Sequence, residues 1–277
     1  MLVEKKQIVE LSENVRKIID GQKIDIRDNK EGKLSILKND IHTLANRLTE
    51  QAENSEKEKE ALRQILSDIS HQIKTPLTSM QIMVDLLPDA PPQKQEEFIA
   101  NIKTSLTRTQ WLVSALLKLA RLDSGAVEFE QNTVTVAQLA EEALKPLQVL
   151  LDVKNQSVEI KGGSVQLLCD KRWTSEALTN IIKNASEYSP QGGKIVIEAG
   201  QNPLFASISV TDSGKGLTSA EQATIFRRFE GSRSEFGTGI GLPLALAIMR
   251  GQNGDIEAEN TPHGAKFTVK FYSAQSN

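Results

Sequence analysis

The chain has 277 residues, which is room for about two ordinary domains, and its formal net charge is −3 at pH 7. Acidic and basic residues nearly balance, so we expect no nucleic-acid partner. Cys169 is the single cysteine, which excludes an internal disulfide, and no apolar run approaches the roughly 20 residues that cross a bilayer, so the chain as given is predicted to be soluble.

Residues 1–55 carry two apolar stripes with the alternating three- and four-residue steps of a coiled-coil seam. The stripes comprise Ile8, Leu11, Val15 and Ile18, then Leu34, Leu37, Ile41, Leu44 and Leu48. A connector with Gly21, Ile24 and Ile26 separates them. Two such helices resemble a HAMP signal-relay module, and a helical hairpin or a dimerising coil is the alternative. A relay that starts so early usually follows a transmembrane helix, so we expect membrane attachment through a missing upstream segment.

Residues 56–125 predict two antiparallel helices. The apolar stripe continues without glycine or proline as far as Pro76, which predicts one long helix from about Leu34 to Leu87. The proline-rich run at residues 88–92 ends this helix and starts a second one, which stops near Ser124. A lone hairpin cannot bury an apolar stripe on both helices, so we expect a homodimer that forms a four-helix bundle.

His71 lies on the first of these helices, in the segment from Ser70 to Pro76. Helical geometry places it almost opposite the seam residues Ile69 and Ile73, which predicts an exposed imidazole rather than a buried one. A metal site is poorly supported, because no second histidine or cysteine stands at helical ligand spacing. An exposed neutral imidazole is a good nucleophile, and the missing N–H of Pro76 loosens the helix just beyond it.

Residues 126–277 change from helical to mixed periodicity. Short alternating runs predict strands near residues 158–160, 165–168, 195–198, 206–210, 255–258 and 265–271. One helix is predicted to open at Thr133-Val134-Thr135, another to cover Lys171 to Tyr188, and two more to follow the glycine-rich stretch. This order predicts an α+β domain with helices on one face of a mixed sheet.

Two polar clusters in this half can bind a ligand. Asn180 and Asn184 are one turn apart on a predicted helix, where their carbonyl oxygens can approach Mg²⁺ or a phosphate, although surface helices also carry such pairs by chance. Asp212 follows a predicted strand, and a carboxylate there can accept a hydrogen bond from an exocyclic amine. Gly214 and Gly216 allow close backbone approach, and an ordinary turn is the alternative.

A third cluster is rich in glycine and precedes a predicted helix from Pro243 to Arg250. It reads Gly237-Thr238-Gly239-Ile240-Gly241-Leu242. Backbone N–H groups at a helix N-terminus make a phosphate cradle. A dinucleotide-binding fingerprint is excluded, because the preceding strand and the required glycine spacing are missing, and no Gly-Lys-Ser/Thr follows to make a P-loop.

In their order along the chain, these clusters and the His71 segment resemble the sensor histidine kinases of two-component systems. The resemblance implies a HAMP-like relay at residues 1–55, a HisKA-type dimerisation and phosphotransfer hairpin at 56–125, and a GHKL (HATPase_c) catalytic domain at 126–277. That last domain would have the Bergerat α+β two-layer fold. The motifs that carry the resemblance are the H box Ser70–Pro76, the N box Asn180–Tyr188, the first G box Asp212–Gly216, the F box Phe226–Phe229 and the second G box Gly237–Leu242.

The resemblance implies an ATP-dependent protein histidine kinase. His71 would attack the γ-phosphoryl group of ATP and hold it as phosphohistidine, in a reaction catalysed mainly by positioning and charge neutralisation. Asn184 would bind Mg²⁺, with Asn180 beside it near the phosphates. Tyr188 would pack near adenine, and Asp212 would accept a hydrogen bond from the adenine amino group.

The remaining implied roles belong to the loops and the partner. Gly214 and Gly216 would shape the base pocket, Arg228 on a predicted F-box helix would steady a mobile lid, and the second G box would surround the phosphates. That box contributes Gly237, Thr238, Gly239, Gly241 and Leu242. The phosphoryl group would pass to an aspartate of a response regulator receiver domain. Thr75 matches the position that orients water when such proteins dephosphorylate the regulator.

Three features depart from the family pattern. Gln72 stands where many relatives have a carboxylate that takes the imidazole proton as general base, which an amide cannot do. Glu187 stands where lysine is common, and the lid from Lys215 to Phe236 is short. Gln72 and Glu187 suggest a weakly active scaffold as one alternative. A GHKL-fold ATPase of the chaperone or DNA-repair kind, which shares the nucleotide-binding fold, is the other alternative, but it leaves the H box unexplained. Outside the motifs, His42 is predicted on a solvated helix face and His263 in a turn.

Overall fold

The computed structural model describes residues 2–19, 24–27, 32–203, 205–230 and 239–272. The chain divides into two compact units, Met1–Ser70 and His71–Asn277. Within the described ranges, no helix is both long enough and apolar enough to cross a membrane.

The first unit contains the two helices predicted for the N-terminal part of the chain. Helix α1 spans Leu2–Ile19, and α2 begins at Lys33 and runs for 54 residues to Leu86, so that it continues into the second unit. Gly21 of the predicted connector lies outside the described residues. Leu11 of α1 and Ile26 of the connector are both buried, which shows that the apolar connector residue packs within this unit.

The prediction of a solvated His42 is wrong. Its side chain is only 15% exposed, and its Nδ1 atom lies 3.8 Å from a carboxylate oxygen of Asp25 in the connector. Arg27 donates two side-chain hydrogen bonds to the same carboxylate, at 2.9 and 2.7 Å. These bonds hold the pKa of the Asp25 carboxyl well below its usual range. The connector therefore folds back onto the first turns of α2.

In the second unit, two helices follow one another as predicted. The C-terminal part of α2 contains Pro76 and ends at Leu86, a 3₁₀ turn covers Leu87–Asp89, and α3 spans Pro92–Asp123. Gly125 follows with a φ of 65°, a left-handed conformation that favours glycine after a helix end. The prolines and this glycine therefore set the helix boundaries.

The rest of the second unit is built on a mixed sheet. Its strands are β1 (Asn132–Thr135), β2 (Ser157–Lys161), β3 (Gln166–Cys169), β4 (Lys194–Gln201), β5 (Phe205–Thr211), β6 (Gly254–Thr261) and β7 (Gly264–Tyr272). Five strands form a sheet in the order β2-β4-β5-β7-β6, in which only the β2–β4 pair is parallel. Strands β1 and β3 form a separate antiparallel ribbon.

Helices form the second layer. They are α4 (Val136–Leu144), α5 (Gln148–Val153), α6 (Lys171–Tyr188), α7 (Ser219–Thr224) and α8 (Gly241–Gly251). Strands β4 and β7 bury alternate side chains, β5 buries three residues in succession at 208–210, and α6 and α8 contact the sheet and each other. The buried set includes Ile195, Ile197, Ile208, Val210, Phe267 and Val269 from the sheet. The predicted α+β layering is confirmed.

Two details of the predicted helices differ. Thr133-Val134-Thr135 was expected to open a helix but forms strand β1, because it pairs with β3 and Thr133 lies opposite Leu168. Only the last residue serves the helix: the Thr135 hydroxyl accepts a hydrogen bond from the Gln138 N–H at 3.3 Å and caps α4. The six-residue helix α5 was not predicted.

Helix α3 belongs to the same hydrophobic core as the sheet and its helices. It packs against α8, and three of its side chains, Leu112, Ala115 and Leu119, are at most 2% exposed. Three other apolar side chains of α3 are largely exposed, namely Leu106, Val113 and Leu117. Helix α3 thus has one apolar face inside this unit and a second apolar face on its surface.

Candidate active site

The predicted phosphoacceptor histidine is accessible. His71 is exposed on α2, as its helical position predicted, and in the described part of the chain no hydrogen bond or ion pair reaches its imidazole. The Thr75 hydroxyl donates to the His71 carbonyl at 3.1 Å, and Pro76 offers no N–H to the carbonyl of Gln72. The imidazole is therefore free to react, and no carboxylate of the described residues stands ready to take its proton.

Asp212 forms the polar anchor of a separate pocket. It follows β5 and is buried, and its Oδ1 atom accepts hydrogen bonds from the N–H groups of Gly214 at 2.8 Å and Ala265 at 3.0 Å. Burial raises the pKa of this carboxyl above its ordinary value, against the effect of those two bonds. Among the described residues none donates to Oδ2, which leaves this oxygen available as an acceptor for a ligand.

A small pocket that is partly open to solvent has Asp212 in its wall. Its lining is mostly apolar, with a few polar groups, which is the usual composition of a site for a small organic ligand. The lining residues are Asn184, Tyr188, Asp212, Gly216, Leu217, Glu221, Ile225, Ala265 and Phe267. The structure therefore brings part of the predicted N box and the first G box together.

Helix α6 places two N-box residues at the pocket and buries a third. Asn184 and Tyr188 line the pocket, whereas Asn180, one turn earlier, is buried and donates from Nδ2 to the carbonyl of Glu176 at 3.0 Å. A Cβ atom at Gly241 would stand 3.1 Å from Asn180 Oδ1, so the first residue of α8 passes close to this side chain. Asn180 thereby connects the N box with the second G box.

The C-terminal end of α6 is held by side chains from the segment before β2. The Gln156 amide donates to the carbonyls of Ser186 and Ser189 at 3.0 and 3.2 Å, and Lys154 donates to the carbonyl of Ser186 at 2.7 Å. These bonds satisfy carbonyl groups that a helix end otherwise leaves without partners. They fix the turn of α6 that carries Tyr188.

Close backbone contacts explain the glycines around Asp212. A Cβ atom at Gly214 would lie 2.7 Å from the carbonyl oxygen of Tyr188. Gly216 has a φ of 73°, which favours glycine. The sequence reasoning missed Gly264, where a Cβ atom would lie 2.3 Å from the Asp212 carbonyl oxygen, because the contact spans about fifty residues and no local pattern marks it.

The second G box is only partly described. Gly237 and Thr238 lie outside the described residues. Gly239 has a φ of 65°, and its carbonyl accepts a hydrogen bond from the Phe229 N–H at 3.0 Å, while Gly241 begins α8. The Leu242 side chain is buried in the core, so only its backbone can face a ligand.

The F box is not helical, contrary to the prediction. Residues 225–230 form turns after α7, and Phe229 has a left-handed φ of 66° that interrupts any helix. Arg228 donates from Nη2 to both carboxylate oxygens of Asp123, at 2.9 and 2.7 Å. It thus ties the F box to the C-terminal end of α3. Glu187, the other noted departure, is turned toward Lys183, with 3.8 Å between the Oε1 and Nζ atoms.

Several residues that line the pocket lie outside the motifs identified in the sequence. Leu217, Glu221 and Ile225 come from α7 and its flanks, and the Thr218-x-x-Glu221 spacing of a capping box could have located this helix. Ala265 and Phe267 come from β7 and are brought to the pocket by strand pairing. The signal for such residues lies in the tertiary structure.

Two family profiles match the chain. The His Kinase A (phospho-acceptor) domain matches residues 61–125, which contain His71. The profile described as histidine kinase-, DNA gyrase B-, and HSP90-like ATPase matches residues 169–275, which contain the pocket.

Several known proteins are similar to the chain. The heme sensor protein HssS of Staphylococcus saprophyticus is 30% identical over 210 residues, which cover 74% of this chain and 45% of the relative. The signal transduction histidine-protein kinase BaeS of Escherichia coli K12 is 25% identical over 257 residues, covering 90% of this chain and 55% of BaeS. The chain thus spans about half the length of the relatives it matches.

Solved structures share the fold. The histidine kinase AdeS of Acinetobacter baumannii matches with a TM-score of 0.63 and 23% identity, covering 73% of this chain and 97% of that one. The histidine kinase ThkA, in complex with the response regulator protein TrrA, matches with a TM-score of 0.64 and 20% identity, covering 81% and 66%. With a HisKA domain followed by a HATPase_c domain, the chain belongs to the sensor histidine kinase family of two-component systems.

Proposed function

We propose that the chain phosphorylates itself on His71 with ATP and passes the phosphoryl group to an aspartate of a response regulator. One observation carries this proposal: an exposed histidine on a HisKA helix belongs to the same compact unit as a pocket built around a buried carboxylate. The pocket supplies a place for the nucleotide, and the histidine supplies the nucleophile. A GHKL ATPase of another kind would not need the exposed histidine.

The pocket suits an adenine base. Asp212 offers Oδ2 as acceptor for the exocyclic amino group, while Oδ1 is already fixed by two backbone N–H groups. Tyr188 and Ile225 provide apolar surface for the ring. In this proposal the phosphates extend toward the start of α8, where backbone N–H groups at Gly239 and Gly241 would bind them.

Mg²⁺ is proposed as the companion of ATP. Within the described residues no group of three or more His, Cys, Asp or Glu side chains could hold a metal alone. The pocket instead offers the side-chain oxygen of Asn184. A single protein oxygen suits Mg²⁺ that is bound mainly by phosphate oxygens and water. Asn184 would supply that oxygen, and Asn180 would support it from the preceding turn. The ion would neutralise the charge that develops on the phosphates.

In the phosphorylation step an imidazole nitrogen of His71 bonds to the γ-phosphorus as the bond to the β–γ bridging oxygen breaks, which releases ADP. The imidazole proton leaves to water or phosphate oxygen, because Gln72 can accept a hydrogen bond but not the proton. Thr75 is exposed one turn after His71. We assign to it the positioning of water in dephosphorylation of the regulator.

A homodimer is part of the proposal. Beyond the α3 residues noted above, Leu77 and Val84 of α2 are each 50% exposed. Together they form apolar surface on both helices of the hairpin, which a second copy would cover in a four-helix bundle.

Attachment to a membrane rests on the relay-like pattern of the first 55 residues alone, and fractionation of cells that express the whole natural gene tests it.

The test of the function is incubation of the chain with γ-labelled ATP and Mg²⁺. We expect label on the protein that is lost in acid and kept in alkali, as phosphohistidine is, and that moves to a receiver domain on mixing. The complex of ThkA with a response regulator makes a receiver domain the partner to try. ATP hydrolysis without protein label would support the ATPase alternative, and neither reaction would support a scaffold.

The ion pair between Arg228 and Asp123 is expected to support ATP binding. If Arg228 acts by tying the F box to α3, then Arg228→Ala and Asp123→Ala should raise the KM for ATP by the same factor, about two- to fivefold for a partly exposed pair. The double variant should be no worse than either. Autophosphorylation rates at a series of ATP concentrations give these values.

Arg227→Ala is the matched control, because within the described ranges Arg227 forms a salt bridge only with Glu230, three residues away, at 3.5 Å. An effect of Arg228→Ala that Asp123→Ala does not reproduce would instead assign Arg228 to the lid or the nucleotide.

A further inference from the structure

Asn260 lies outside every motif, near the end of β6, yet its side chain reaches the loop that follows Asp212. Its Nδ2 atom donates to the Leu217 carbonyl at 2.7 Å, and its Oδ1 atom accepts from the Leu217 N–H at 2.7 Å. The carboxamide therefore pairs with both backbone groups of one residue, as an adjacent strand would. It crosses more than forty residues of sequence to do so.

The residues that Asn260 holds form one wall of the pocket. Leu217 and Gly216 both line it. A Cβ atom at Gly216 would stand 2.8 Å from Asn260 Oδ1, so the loop runs directly against this side chain. The next residue, Thr218, caps α7, whose Glu221 also lines the pocket. The position of Leu217 thus fixes where α7 begins.

The same hairpin tip supports the other end of the loop. Ala265 donates its N–H to Asp212 Oδ1 at 3.0 Å, and Gly264 packs against the Asp212 carbonyl. The tip is braced internally, because the Thr261 hydroxyl donates to the Gly264 carbonyl at 3.0 Å and accepts from the His263 N–H at 3.3 Å. The turn between β6 and β7 therefore supports both ends of the segment from Asp212 to Leu217.

We propose that Asn260 is a positioning residue that holds the Gly216–Leu217 wall in its nucleotide-binding position before the ligand arrives. The inference rests on the proposed nucleotide function of this pocket. A wall that is already ordered lowers the conformational entropy lost on binding. Removal of the Asn260 side chain therefore weakens the affinity for nucleotide, while the rate of phosphoryl transfer is unchanged once the nucleotide is bound.

The test compares Asn260→Ala, Asn260→Asp and the control Asn132→Ala, an exposed asparagine of β1 that does not line the pocket. Calorimetric titration with ADP and Mg²⁺ should give about tenfold weaker binding for Asn260→Ala, the loss expected for one or two ordinary hydrogen bonds. Asn260→Asp keeps one acceptor but turns an acceptor toward the Leu217 carbonyl, so it should be no better than alanine. Asn132→Ala should bind like the wild type.

Two further readouts separate positioning from general stability. Hydrogen exchange at the Leu217 amide should be faster in Asn260→Ala without nucleotide, with an unchanged Tm, and the KM for ATP should rise while kcat stays constant. Unchanged affinity, or a joint fall of affinity, kcat and Tm, would overturn the proposal. Affinity is measured without phosphoryl transfer, so a wild-type chain that binds ADP but takes no label on His71 would count against the kinase function alone.

Discussion

Replacement of His71 by glutamine is expected to abolish acid-labile labelling of the protein by γ-labelled ATP. The reason is chemical: an amide nitrogen has no free lone pair comparable to that of a neutral imidazole, so the nucleophile is lost while the side chain stays polar. The expected fall is to the background of the assay, on the order of a thousandfold or more. Nucleotide affinity should not change, because His71 does not line the pocket.

The chain contains three histidines, so two matched controls exist. His263→Gln changes a turn residue, and His42→Gln changes a largely buried residue of the first unit. Both variants should label like the wild type. Because His71 is exposed, its replacement should change the free energy of unfolding by no more than about 0.5 kcal/mol. Label that survives His71→Gln but disappears in either control would refute the assignment of the phosphoacceptor.

Replacement of Asp212 by asparagine should weaken ATP binding by about 10- to 100-fold, the loss of a hydrogen bond to a charged acceptor. Asparagine keeps one oxygen, which the backbone N–H groups of Gly214 and Ala265 already use. Its amide nitrogen would then face the adenine amino group donor to donor. Titration with ADP and Mg²⁺ measures the loss, and Asp152→Asn, an exposed change on α5, is the control.

The same substitution should not destabilise the fold. Burial raises the pKa of the Asp212 carboxyl, so the ionised group opposes folding above that pKa, and the folded state gains stability as the pH falls through it. Nucleotide binding should follow the opposite course, weakening as the pH falls and the acceptor becomes protonated, with a flat profile in Asp212→Asn. A clear drop in Tm for Asp212→Asn would contradict this account.

The elements with strong local signals could be predicted from the sequence. The bounds of α6 match the predicted helix from Lys171 to Tyr188, because an Asp170 cap precedes a clear apolar face. The proline run placed the turn between α2 and α3 equally well. Strand β1 was misread because its four residues become a strand only by pairing with β3, which no local pattern encodes.

The candidate site also contains some residues that local motifs predict and others that only the tertiary structure reveals. Asp212 and Asn184 stand in motifs, and the structure brings both to one pocket. Ala265 lines the pocket, and Gly264 and Asn260 contact residues that line it. These contacts join residues more than forty positions apart, so the chain offers no short-range sign of them. The F box failed as a helix because Phe229 adopts a left-handed conformation, which residue preferences alone do not predict.

The packing of α3 against α8 determines how external conditions act on this unit. The ion pairs that α3 makes with other elements, Asp123 with Arg228 of the F box and Lys118 with Glu176 of α6, are partly exposed and contribute little, about 1 kcal/mol or less each. Its apolar contacts are buried and contribute most of the stabilisation. Apolar burial weakens on cooling and is hardly affected by moderate salt. The contact should therefore respond to temperature far more than to ionic strength, with the cold rather than salt favouring its release.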